Sequence, residues 1–104
     1  MSRDRLQSLL RLAESRPDDP RLLFGLAVEF LNRGELRRGA DALRAYLSMA
    51  PDEGNGWGRL GAALSDLGEE DEARQAYLKG IEIAQERGHS GLVEELEAAL
   101  EDLS

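Results

Sequence analysis

The sequence predicts an all-α fold of about six helices, paired as antiparallel hairpins. Three observations carry that expectation. Apolar residues recur three and four apart along most of the chain, which is the spacing of one helical face. Gly34 and Gly68 each fall where one such run stops and another starts at once. Residues 20–53 match residues 54–87 in physical class at a period of thirty-four.

The first helix is expected over residues 3–15, with Leu6, Leu9, Leu10 and Ala13 on one stripe, and Pro17 ends it. Asp19-Pro20 opens the second: a carboxylate N-cap, then proline at the first helical position, whose absent N–H would have no intrahelical partner anyway. That helix carries Leu23, Leu26, Ala27 and Phe30 on one face and Phe24, Val28 and Leu31 on the next, leaving Arg21, Gly25, Glu29 and Asn32 for water. An apolar surface that wide is buried between neighbours. Gly34 supplies the left-handed residue of a helix end, and Glu35 places an acid at the new N-terminus.

The third helix, residues 35–49, offers Leu36, Ala40, Leu43 and Leu47 and stops before Pro51-Asp52. The fourth is expected to begin near Asp52 and Glu53 and to reach Leu67. Gly68 turns the chain, and the fifth runs from Glu69 to about Arg87, where Gly88 ends it. Ser90 is the expected N-cap of a sixth helix, with Leu92, Leu96, Ala99 and Leu103 inward and Glu94, Glu95, Glu97, Glu101 and Asp102 outward.

Trp57, Leu60, Gly61 and Leu64 share one helical face, and Ala73 and Tyr77 share a face beyond the Gly68 turn. Bulky Trp57 and Tyr77 fill space where small Gly61 and Ala73 admit close backbones. The thirty-four-residue register pairs Leu23 with Trp57, Leu26 with Leu60, Phe30 with Leu64, Gly34 with Gly68, Leu43 with Tyr77 and Ala50 with Ala84, while Pro17-Asp18 recurs as Pro51-Asp52. In these residues the chain resembles the tetratricopeptide-repeat (TPR) family. The resemblance spans nearly the whole chain and is more specific in the second repeat. In the first, Leu23 stands for the aromatic residue, Ala27 for the glycine and Gly39 for the alanine.

The resemblance implies hairpins stacked as a short right-handed solenoid, a single domain over 1–104: a half repeat (1–19), two repeats (20–53 and 54–87) and a capping helix (88–104). It further implies a protein-interaction module that binds a peptide segment of a partner in a concave groove lined by the first helix of each repeat. Arg21, Phe24, Gly25, Val28 and Asn32 would come from one repeat, and Asn55, Arg59, Ala62 and Asp66 from the next. One subgroup of the family clamps a C-terminal carboxylate with lysine, asparagine and arginine. Asn55 and Arg59 resemble a fragment of that clamp, but Phe24 and Val28 stand where its lysine and asparagine would be. Phe24 and Val28 are expected either to be covered by the first or sixth helix or to floor the groove.

Composition narrows the classes. With 104 residues, 41% hydrophobic and 33% charged, the chain has the make-up of a globular helical protein rather than a disordered one. Residues 1–50 carry a net +2 and residues 51–104 a net −10. No concentrated basic surface is available for nucleic acid, so another protein or peptide is the expected partner. The asymmetry leaves self-association, as a dimer or head to tail, as the alternative. There is no cysteine, and hence no disulfide or thiolate metal site. No leader or membrane span is read, and a cytoplasmic location is expected.

No catalytic constellation or cofactor site is read, and the chain is not expected to be an enzyme. Gly56-Trp57-Gly58-Arg59-Leu60-Gly61 has the spacing of a dinucleotide fingerprint, but that motif follows a strand, and here it lies inside a helical repeat. Close helix packing near Trp57 is the expectation instead. His89, the sole histidine, has too few neighbouring ligands for a metal and is expected at a turn or surface. The acidic run Glu69 to Glu72 lacks the spacing of a calcium loop and suits a helix N-terminus.

Overall fold

The computed structural model describes residues 2–103, with side chains from Arg5 onward. Six helices follow in order: α1 (Ser2–Ser15), α2 (Pro20–Asn32), α3 (Leu36–Met49), α4 (Asn55–Asp66), α5 (Glu70–Glu86) and α6 (Ser90–Glu101). They form two compact units, Met1–Ala50 and Pro51–Ser104.

Three of the turns share one chemistry. Gly34, Gly68 and Gly88 have φ of 78°, 83° and 73°, a left-handed conformation that glycine adopts without a Cβ clash. After each, the chain bonds back six to one: Glu35 N–H to Phe30 O, Glu69 N–H to Leu64 O and His89 N–H to Ala84 O, all at 2.9 Å. This is the Schellman closure, which satisfies carbonyls at a helix end. The residue after each glycine then adopts nearly the same non-helical conformation, with φ between −94° and −88° and ψ between 71° and 75°, and the next helix starts at once. His89, not Ser90, is therefore the N-cap of α6, and its side chain makes no capping bond.

The starts of α2 and α4 use carboxylates. Asp19 accepts from the Arg21 N–H at 3.0 Å, with Pro20 at the first helical position. Asp52 accepts from the N–H groups of both Gly54 and Gly56 at 2.8 Å. Asp52 and Glu53 thus precede α4 instead of beginning it, because Gly54 takes φ 114° between them and the helix. A Cβ on Gly54 would also stand 2.9 Å from the Gly80 carbonyl oxygen, so the position excludes side chains twice over.

In the first unit Leu26, Ala27 and Phe30 of α2 meet Ala40 and Leu43 of α3 in the core. Gly39 gives Leu31 its place: a Cβ there would lie 2.5 Å from Leu31 Cδ2. Two expectations need correction. Leu10 is 40% exposed, so the inward stripe of α1 is Leu6, Leu9 and Ala13, all half-buried. Glu29, assigned to water, is only 8% exposed. Its carboxylate accepts from Arg5 Nε and Arg33 Nε, each at 2.9 Å, and the two guanidinium groups replace the water the carboxylate loses.

The second unit closes over Leu60, Ala63, Leu64, Ala73, Ala76, Tyr77, Ile81 and Ala84, with Leu96 and Leu103 added from the C-terminal segment. Trp57 is half-buried. Leu96 enters through two glycines: a Cβ on Gly58 would lie 2.7 Å from its Cδ2, and one on Gly80 2.9 Å from its Cδ1. At the equivalent repeat positions the first unit has Phe24 and Tyr46, whose rings pair at 5.0 Å. The glycines thus make a socket where the other repeat has an aromatic pair.

Candidate functional site

The nine residues expected to line a groove fall on two helical stripes. On α2, Arg21 and Asn32 are exposed, and Phe24, Gly25 and Val28 between them are half-buried. Gly25 faces α1, since a Cβ there would lie 3.6 Å from Leu9 Cδ2. Phe24 is covered on one side by Tyr46 of α3, with ring planes inclined at 57°.

On α4, Asn55, Arg59, Ala62 and Asp66 are all exposed. Their spacing of four, three and four keeps them on one face. Asn55, Arg59 and Ala62 form one wall of a cleft of about 320 Å³ whose other wall is Leu92, Glu95, Leu96 and Ala99 of α6. Gly58 and Tyr77 complete its lining. The N-terminal residues of the two helices face one another, as do the later ones, so α4 and α6 run side by side in the same sense. A second opening of about 500 Å³ shares Asn55, Leu92 and Glu95 and extends the trough to Glu53 and His89.

Helical spacing alone does not show the α6 wall, because it places Leu92, Leu96 and Ala99 alike on the inward face. Only Leu96 is buried; Leu92 and Ala99 are half-buried. The usable signal was the pair of glycines at 58 and 80, which in the repeat register replace Phe24 and Tyr46.

Tyr77 joins core to cleft. Its ring packs on Gly61, where a Cβ would lie 2.8 Å from the ring carbons, and the residue is 6% exposed. Burial, then the charges of Asp66 and Asp102, push its phenol pKa above 10.0, so the hydroxyl is neutral at ordinary pH. No described residue hydrogen-bonds that hydroxyl. His89 Nε2 stands 2.6 Å from Glu53 Oε1, joining the α5–α6 turn to the segment before α4. Among the described residues no cluster of three or more His, Asp or Glu is arranged to hold a metal, and no helix is long and apolar enough to cross a membrane. Gly56, Gly58 and Gly61 lie within α4, with Gly58 against Leu96 and Gly61 against Tyr77; they serve helix packing.

Helical hairpins closed by a recurring glycine turn, with a small residue set against an aromatic ring, define the helical-repeat class of interaction proteins. The chain belongs to the tetratricopeptide-repeat family. A solved structure of a Bordetella parapertussis protein matches it with a TM-score of 0.80 and 30% identity, covering 94% of this chain and 85% of that one. A TPR repeat-containing protein of Pseudomonas aeruginosa is 29% identical over 94% of this chain and 93% of its own length. The peroxisomal targeting signal receptor of Eremothecium gossypii is 34% identical over 80% of this chain, which spans only 15% of the receptor. No protein-family model matches the chain. With relatives of this kind, the chain is a protein–protein interaction module.

Proposed function

We propose that this module binds an extended peptide segment of a partner protein, and that in the second unit the segment lies along the exposed face of α4, in the cleft against α6. The cleft carries this reading, because it combines an apolar lining with fixed polar groups. Its volume of about 320 Å³ is at the small end of ligand sites, which run from about 300 to 1,000 Å³. That is room for one or two side chains. Ala62, Leu92, Leu96 and Ala99 take the apolar part of the segment. The Asn55 amide can both donate to and accept from a peptide group, and the Arg59 guanidinium donates to a carbonyl or carboxylate. On the first unit Arg21 and Asn32 would serve as polar contacts beside Phe24, Gly25 and Val28. Relatives named as receptors of a targeting signal support peptide recognition as the mode.

An interface this small supports affinities of about micromolar, or about −8 kcal/mol. The test is an array of immobilised, end-blocked nine-residue peptides of varied sequence, incubated with the purified chain. Peptides held by the parent should be lost with Arg59→Glu and kept with Glu97→Gln, both variants retaining the parent helical circular dichroism. Equal retention by Arg59→Glu would remove α4 from the site.

A further inference from the structure

The cleft is the volume that the second repeat lacks by comparison with the first. At a spacing of thirty-four, Phe24, Val28 and Tyr46 of the first repeat become Gly58, Ala62 and Gly80 of the second. The first set fills its own surface: Phe24 and Tyr46 pair at 5.0 Å, and all three residues are half-buried. In the second set three bulky apolar side chains are reduced to a single methyl group. Helix α6 supplies one aliphatic side chain in their place. A Cβ on Gly58 would stand 2.7 Å from Leu96 Cδ2, and one on Gly80 2.9 Å from Leu96 Cδ1, so this leucine occupies the room of the aromatic pair. The position of Val28 has no such replacement. Its equivalent, Ala62, is exposed, and it lines the cleft of about 320 Å³ together with Ala99 of the other wall.

We propose that this unfilled volume is the anchor subsite of the bound peptide, and that it selects one bulky aliphatic side chain, of the size of leucine. The class of anchor follows from the walls. The side chains of Ala62, Leu92, Leu96 and Ala99 carry no polar atom, so a charged or amide group would lose its water there and gain no partner. The size follows from what is already filled. Leu96 holds the place of the two rings, and what stays open is the place of an aliphatic residue beside it. Ala62 and Ala99, each ending in a methyl group, set the limit. Above the anchor, Arg59 on the α4 wall and Glu95 on the α6 wall offer a donor and an acceptor to the peptide groups on either side. This rests on peptide binding in the cleft and adds to it the class and size of the side chain chosen.

The same array tests it, with each position of a bound peptide replaced in turn by alanine, leucine, phenylalanine and aspartate. The expected result is one position where leucine is held about tenfold more strongly than alanine, the least that added methylene groups contribute in an apolar pocket, and where aspartate is rejected. Ala62→Val puts the first repeat's residue into the cleft and should bring the leucine-to-alanine ratio at that position down to about one. Ala99→Leu should do the same from the other wall. Leu92→Ala widens the cleft and should raise phenylalanine to the level of leucine, a gain that loss of folding does not produce. Glu97→Gln should keep every ratio of the parent. The subsite would be overturned, with peptide binding left in place, by peptides held with no aliphatic preference or by a ratio that neither filling variant lowers. The same follows if Leu92→Ala brings no gain for phenylalanine, or if Ala62→Val keeps its helical circular dichroism yet holds no peptide, since a smaller anchor would still fit. If no peptide on the array is held, both proposals fall.

Discussion

The ring of Tyr77 lies on the α-carbon of Gly61, close enough that a single added carbon would sit 2.8 Å from its edge atoms. The ring belongs to a buried side chain. Gly61→Ala should therefore destabilise the protein, because overpacking of this kind costs about 1 to 3 kcal/mol, against about 1 kcal/mol returned by better helix propensity. Urea denaturation should show a net loss. A gain in stability would mean that the ring moves freely and that the seam between α4 and α5 is looser than drawn.

Gly34 and Gly68 make a different demand. A Cβ at either would meet nothing within 4 Å, so only the positive φ resists substitution. The ranking of replacements should follow backbone preference alone. Asparagine, which tolerates the left-handed region, should lower the melting temperature less than alanine, and valine should lower it most. If valine and asparagine proved equal, the turn geometry would not be the cause.

These two cases show what could be read from the chain. Turn glycines announce themselves, because two apolar runs end on them in register, and the pairing of small Gly61 and Ala73 with bulky Tyr77 follows from spacing. What escaped depended on partners far apart in sequence. Glu29 looks like a surface acid until Arg5, twenty-four residues earlier, comes over it. Gly25 gives no hint in its spacing that Leu9 lies against it. The second wall of the cleft needed knowledge of which residues on α6 remain only half-covered, and helical periodicity does not distinguish half-covered from covered.

Glu29 gives a graded prediction. Its side chain is 10% exposed, whereas those of Arg5 and Arg33 are 66% and 26% exposed. Removing the more exposed partner by Arg5→Ala should cost less than about 1 kcal/mol. Its effect should be confined to faster amide exchange in α1. Glu29→Lys instead buries a cation between two guanidinium groups and should cost more than about 3 kcal/mol. Comparable denaturation curves for the two variants would contradict the burial of this carboxylate.

The phenol of Tyr77 should make stability depend on alkaline pH. Burial first, then Asp66 and Asp102, raise its pKa above the ordinary 10.0, so the folded protein holds this proton more tightly than the unfolded chain does. The resulting stability is complete below the unfolded value and is lost as pH rises through it toward the folded value. Tyr77→Phe has no proton to lose there, while Tyr46 is common to both proteins. The stability of the parent relative to Tyr77→Phe, measured by urea denaturation from pH 8 to 11, should be constant to about pH 9 and fall beyond it. At neutral pH the two should lie within about 1 kcal/mol, since no hydrogen bond from a described residue is removed. A difference that stays flat to pH 11 would mean that the hydroxyl is as well solvated in the folded protein as in the unfolded chain.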